Sequence, residues 1–230
     1  KRCCITVGRK FVAKEKVCVL MEADEKQNCV QFTAIGEACS LQARLNCRVE
    51  QGGKALLIAS VYQSMLELFG DEATTVETDE TMISVRNAKA GYCFSLMDAK
   101  KYAVPEPCVP TELTEADHFC EVSSKVLFSA AKGDAMQNNT LRCVHITVHD
   151  GKFSAVSCDG YRLTVASEAA AQAEQMDMLL SVDAVKTIRA VFCDVKHCKI
   201  GVCDGRAVFC GPGMVLQARL NEQKYVNVQT

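Results

Sequence analysis

The chain has 230 residues, a length that suits one large domain or two of about 100 to 120 residues. Hydrophobic residues make up 49% and charged residues 23%, enough for a buried core, and no apolar run reaches the roughly 18 to 20 residues of a membrane span. The net charge of −2 argues against a uniformly basic nucleic-acid binder, but not against basic residues gathered on one wall and cancelled by acidic ones elsewhere.

Taken in chain order, residues 2–12 form a first amphipathic segment. Strands are expected at 17–23 and 29–35, with an extended stretch at 39–49. Residues 55–69 place Val61, Met65, Leu68 and Phe69 on one helical face. Short strands follow at 74–78, 82–86 and 92–96. The crossing Val104-Pro-Glu-Pro-Cys-Val-Pro110 holds three of the four prolines in the chain and cannot continue a helix or a central strand. It sets the expected domain boundary, giving domains 1–107 and 108–230.

The second half repeats the first. An amphipathic segment at 118–131 carries Phe119, Val122, Val126, Leu127 and Ala130 at helical spacing. Strands at 142–148 and 153–157 flank Asp150-Gly151, a hairpin signal because the turn needs positive φ at its centre. Residues 178–192 place Ala184, Val185, Ile188, Val191 and Phe192 on one stripe, and Phe192 answers Phe69 as Phe153 answers Phe32. Strands at 198–203 and 206–210 join through Asp204-Gly205, and a last strand covers 214–219. The matching order makes a duplication the better reading than two unrelated domains. The expected class is α+β, with two helices per domain packed on mainly antiparallel sheet.

Fifteen cysteines are too many to ignore. Their number is odd, no charged-then-apolar leader opens the chain, and a domain pair of this size forms a core without staples. Several, such as Cys93 and Cys210, sit in apolar strand patterns, so reduced and buried thiols in a cytoplasmic protein are expected. Cys193, Cys198 and Cys203 are spaced too widely for a short zinc motif, and His145 and His149 lie on a strand and its turn, so no metal and no cofactor is expected. No local signature supports a cysteine nucleophile, and no glycine-rich loop cradles a phosphate.

The sharpest motif is Ala155-Val-Ser-Cys-Asp-Gly-Tyr-Arg-Leu-Thr-Val-Ala166. Glycine permits a sharp exit from a strand, arginine offers a planar fork of donors, and leucine supplies an apolar wall. Asp159, Gly160, Arg162 and Leu163 resemble the middle-domain signature of the bacterial sliding clamp, the β subunit of DNA polymerase III, with Cys158 in place of the usual threonine. Residues 128–144 resemble that family's middle-domain helix end, loop and first strand. Residues 219–228 resemble its Arg-Leu-x-Glu-Gly stretch, and Phe32-Thr-Ala-Ile-Gly36 stands where the family has Leu-Thr-Ala-Thr-Asp. The resemblance covers nearly the whole chain. An expected first strand is missing at the amino-terminal end, and a third domain is expected beyond Thr230 but absent.

The resemblance implies a DNA-clamp fold with no catalytic site. It also implies a bacterial replication role as a processivity factor tethering DNA polymerase to double-stranded DNA. Polymerase, clamp loader and repair proteins would bind through short linear motifs. The wall of their pocket would be Leu141, Cys158, Gly160, Tyr161, Arg162 and Leu163, with Val226 at its edge where the family has proline. DNA would face Arg2, Arg9 and Lys10 in the first domain and Lys125, Lys132, Lys186 and Arg189 in the second. Taken singly, each of these is an ordinary solvated helix charge. The full-length form would be a homo-oligomer, and without a third domain three two-domain chains could still close a ring. Two other readings stand beside this one: a clamp-like peptide-binding protein that does not encircle DNA, and a thiol-rich metal or redox protein.

Overall fold

The computed structural model describes residues 1–7, 17–70, 72–79, 81–133, 139–170 and 175–227. The chain divides into two compact units, Lys1–Glu106 and Pro107–Thr230.

The first unit opens on helix α1 (Arg2–Thr6). Strands β1 (Cys18–Asp24), β2 (Cys29–Ile35), β3 (Cys39–Asn46) and β4 (Gly53–Ile58) pair antiparallel in the order β4-β1-β2-β3. Helix α2 (Ala59–Phe69) follows directly on β4, and β5 (Thr75–Thr78), β6 (Met82–Arg86) and β7 (Gly91–Ser95) form a second antiparallel ladder. Cys18, Val19, Leu20 and Met21 are all buried, as in a central strand covered on both faces. Cys18 and Leu20 pack with Leu56 and Tyr102. The Tyr102 hydroxyl accepts from the Ile35 amide at 3.1 Å and lies 3.3 Å from the carbonyls of Cys18 and Thr33, tying β1 to β2.

The second unit repeats this plan. Strand β8 (Thr114–Glu115) and helix α3 (Phe119–Val126) lead into β9 (Cys143–His149), β10 (Lys152–Cys158), β11 (Leu163–Ala169) and β12 (Met176–Ser181), paired in the order β12-β9-β10-β11. Helix α4 (Val182–Phe192) follows β12 as α2 follows β4. Strands β13 (Lys199–Cys203), β14 (Arg206–Gly211) and β15 (Met214–Arg219) complete it, with β8 on the outer side of β13. The shared ladder order and the shared helix position make the duplication a structural fact.

The core of the second unit is aromatic. Phe119 lies edge-on to Phe209 with ring centroids 4.7 Å apart and to Phe153 at 6.3 Å, and Phe192 lies 6.1 Å from Phe209. The α4 stripe of Ala184, Val185, Ile188, Val191 and Phe192 is buried as expected. Both Asp-Gly turns have the expected backbone, with φ of 48° and 69° at Asp150 and Gly151 and of 48° and 67° at Asp204 and Gly205.

Three expectations are corrected. Residues 55–69 and 178–192 are not single helical elements, because each begins as a strand. Ala55, Leu56 and Leu57 pair with β1, and Met178, Leu179 and Leu180 pair with β9, all six being buried. The late helix start also turns α2, so Ala59, Tyr62, Met65 and Phe69 face inward while Val61 and Leu68 are exposed. Cys93 is exposed, because β7 is the outer strand of its ladder. Finally, the thiols are not all free: Cys108 and Cys203 are joined as a disulfide. The others follow the expectation in part, with Cys3, Cys39 and Cys198 buried and their thiols pushed up to about 12 by desolvation.

Helix α4 has a side-chain cap that α2 lacks: the Ser181 hydroxyl accepts from the Ala184 amide at 3.1 Å, whereas Ile58 precedes α2. Ser181→Ala is therefore expected to cost about 0.5–2 kcal/mol in denaturant unfolding. No helix among the described residues is long and apolar enough to cross a membrane.

Candidate functional site

The turn between β10 and β11 is built by one carboxylate. Asp159 Oδ1 accepts from the amides of Tyr161 at 3.1 Å and Arg162 at 3.0 Å, and Oδ2 accepts from Arg162 Nε at 2.8 Å. The Asp159 amide donates back to the Arg162 carbonyl at 3.2 Å, and Cys158 pairs with Leu163 to close the hairpin. Gly160 sits at φ 92°, a backbone state that residues with a Cβ rarely adopt, so glycine is needed there. The two backbone amides, and then Arg162, hold the Asp159 carboxyl below its usual range.

This lowered value fixes the direction of the pH dependence. The stabilisation from the Asp159 carboxylate is fully present above the ordinary aspartate value of about 3.9 and is lost only as pH falls through the lower folded value. The Arg162 Nε–H resonance is expected to stay protected at pH 5 and to weaken only in stronger acid. Early loss of that protection, above the ordinary aspartate range, would contradict this account of the turn.

Around the turn, the structure presents apolar surface to solvent. Tyr161 is 95% exposed, Phe128 55%, Val165 44% and Leu163 43%. The Arg162 guanidinium lies over the Phe128 ring, 5.8 Å from its centroid. Phe128 is held there because the buried Ser157 hydroxyl donates to the Val126 carbonyl at the end of α3, and Ser129 bonds Thr164 on β11. Leu141 is half-buried, and its carbonyl accepts from the Ala131 amide at 2.9 Å, fixing it beside the same helix end.

Val226 is half-buried and follows Tyr225, whose ring lies 5.3 Å from that of His145 on β9. Burial beside Cys158 and Cys143 pushes the Tyr225 hydroxyl up to about 12. Cys158, Gly160, Tyr161, Arg162 and Leu163 thus share one hairpin end, with Leu141 and the Tyr225–Val226 segment in the same unit. Sequence reasoning left out Phe128 and Tyr225. The signal for Phe128 was available, since an aromatic residue outside the inward stripe of Phe119, Val122, Val126 and Ala130 has to face elsewhere.

The expected DNA-facing residues fare unevenly. Arg9 and Lys10 lie outside the described residues. Arg2 is half-buried on α1. Lys125 bonds both Glu121 at 2.7 Å and Glu168 at 2.9 Å, contacts that push its ammonium up to about 12 and leave its charge largely compensated. Lys132 is exposed past the end of α3. Lys186 and Arg189 lie one turn apart on α4, with Lys186 3.7 Å from Asp183.

Among the described residues, two groups bring potential metal-ligand atoms within 4.8 Å of one another: Cys108, Cys203 and Asp204, whose two sulfurs are joined as a disulfide, and the exposed set Glu115, Asp117 and His197. The second is tied up locally, since Glu115 pairs with Lys199 at 3.6 Å and Asp117 accepts from the Cys198 amide at 3.2 Å. His145 and His149 do not converge: His145 bonds Asp177 at 2.8 Å, and His149 pairs with Asp150 at 2.9 Å in the turn.

No protein-family model matches the sequence, and no curated protein matches it. Solved structures do match. DNA polymerase III β subunit from Thermotoga maritima superposes with a TM-score of 0.84 at 19% identity, over 97% of this chain and 61% of that one. The DNA polymerase sliding clamp from Bacillus subtilis superposes with a TM-score of 0.84 at 14% identity, over 98% and 62%. The DNA polymerase III β subunit from Pseudomonas aeruginosa gives 0.83 at 14% identity, over 97% and 62%. The fold is that of the sliding clamps. The chain spans about three-fifths of the length of these clamps, and both of its units fall within the clamp fold.

Proposed function

We propose that the chain is a sliding-clamp subunit or fragment, a non-catalytic processivity factor that captures partner proteins by short linear peptides and tethers DNA polymerase to duplex DNA. The observation that carries this reading is the exposed apolar surface of Tyr161, Leu163 and Phe128, set by the Asp159 turn on a clamp fold. An extended peptide with aliphatic or aromatic anchors suits such a surface, with Arg162 at its edge as the polar contact. Leu141, Cys158, Gly160 and Val226 are the flanking wall, and polymerase, clamp loader and repair proteins are the proposed bearers of the peptide. A fluorescently labelled peptide of this kind is expected to bind the chain saturably with Kd in the micromolar range, about −8 kcal/mol. Absence of saturable binding would remove the peptide role.

For duplex DNA, the proposed contacts are Arg2, Arg9, Lys10, Lys132, Lys186 and Arg189, with Lys125 reduced to a minor part by its two carboxylate partners. Attraction of this kind is independent of sequence and falls steeply with salt. The double substitution Lys186→Glu with Arg189→Glu is expected to weaken retention on duplex DNA at low salt and to lower the salt slope by about 2. An unchanged slope would move DNA off α4. The homo-oligomeric state and the cytoplasmic location of the working form belong to the same proposal.

A further inference from the structure

The start of the second unit lies along β13 without being able to pair with it fully. Strand β8 bonds β13 only through Thr114 and Glu115, opposite Ile200 and Lys199. Upstream, Pro107 and Pro110 have no amide hydrogen to continue the ladder. The segment nonetheless stays close: a Cβ added at Gly201 would lie 2.5 Å from the Glu112 carbonyl oxygen and 2.6 Å from Pro110 Cβ. Glycine at 201 therefore lets residues 110–112 rest directly on the strand. At the far end, Cys108 reaches Cys203, with Cα atoms 6.1 Å apart and a sequence separation of 95. The disulfide stands where backbone pairing has run out.

Cys108 is buried, Cys203 is half-buried, and the Asp204 carboxylate on the adjoining turn is exposed. Asp204 Oδ2 lies 3.6 Å from Cys203 Sγ and 4.0 Å from Cys108 Sγ, so both thiols have an acceptor once the bond is opened.

We propose that Cys108 and Cys203 form a thiol–disulfide exchange site that fastens residues 107–113 to β13 when oxidised and releases them when reduced. A small disulfide such as oxidised glutathione supplies the oxidant. The more accessible Cys203 thiolate attacks one glutathione sulfur, forming a mixed disulfide and expelling one glutathione thiolate. The Cys108 thiolate then attacks the Cys203 sulfur, closing the Cys108–Cys203 bond and expelling the second glutathione thiolate. The two protein thiols lose two electrons and two protons, and two glutathione thiols carry them away. Asp204 shields the bond, because its carboxylate repels the approaching glutathione anion but not an uncharged phosphine.

Disulfide mapping of the full chain tests this. The protein is equilibrated with oxidised glutathione, unfolded in excess maleimide and digested for mass analysis. The expected product is one cross-linked peptide pair joining Cys108 to Cys203, with Cys108→Ser giving instead a stable glutathione adduct on Cys203. Asp204→Asn is expected to speed reduction by glutathione about fivefold and to leave reduction by an uncharged phosphine unchanged. Limited proteolysis within residues 104–113 is expected to run about tenfold faster in the reduced protein and in Cys203→Ser than in the oxidised protein. Cross-links scattered over other cysteines, no cross-link at all, or thiols protected only until a chelator removes bound zinc would overturn the exchange site. Equal proteolysis in both states would overturn the fastening.

Discussion

Phe209→Ala is expected to destabilise the second unit by about 3–5 kcal/mol, enough to unfold much of a domain of ordinary stability. Phe209 is fully buried on β14, and its ring meets Phe119 of α3 at 4.7 Å and Phe192 of α4 at 6.1 Å. Truncation removes the transfer free energy of the ring and also leaves a cavity between both helices and the sheet. The neighbours cannot readily fill it, because Phe119 is committed to Phe153 and the Gly211 backbone already abuts Phe192. Phe209→Leu keeps most of the volume and is expected to cost roughly a third as much. Urea unfolding followed by circular dichroism reads the difference, and a loss below about 1 kcal/mol for the alanine variant would contradict this account of the core.

The second large effect falls on binding and not on folding. Leu163→Asp is expected to lower affinity for an apolar-anchored peptide at least about tenfold, a loss of about 1.4 kcal/mol or more. Leu163 opens β11, an outer strand of its ladder, and is 43% exposed, so the folded chain tolerates a polar group there with a change within about 0.5 kcal/mol. A bound peptide would cover it, and a carboxylate under an aliphatic anchor both loses that burial and leaves a charge without water. Tyr161→Ala is expected to act in the same direction, since a fully exposed aromatic contributes little to the free fold and much to an interface. Equal affinity for wild type and Leu163→Asp, with both folded, would remove this face from the peptide site.

Much of this was legible in the residues. The Asp150-Gly151 and Asp204-Gly205 hairpins were readable because positive φ at two successive positions restricts the residue types strongly. The α4 stripe was readable because five buried residues keep helical spacing without interruption. The α2 face was not, because the apolar run of Ala55, Leu56 and Leu57 continues into the helix without a polar break or a cap, so strand and helix share one hydrophobic signal. Ser181 marks the equivalent junction before α4, and a cap residue there is a sign that sequence reading passed over. In the candidate site, Asp159, Gly160, Arg162 and Leu163 are fixed by local turn chemistry and could be read. Phe128 could be read as falling outside the inward helix stripe, but Tyr225 reaches the same region through tertiary packing, which no local spacing encodes. The Cys108–Cys203 pair was hidden for the same reason, with a sequence separation of 95 between the partners.

The most direct test of the peptide-capture account is a backbone amide and methyl shift map of the chain titrated with an apolar-anchored linear peptide. The account predicts saturable shifts concentrated on residues 158–165, with Phe128, Leu141 and Val226 following the same binding curve. Shifts confined to the β5–β7 ladder of the first unit, or no saturable shift anywhere, would contradict it.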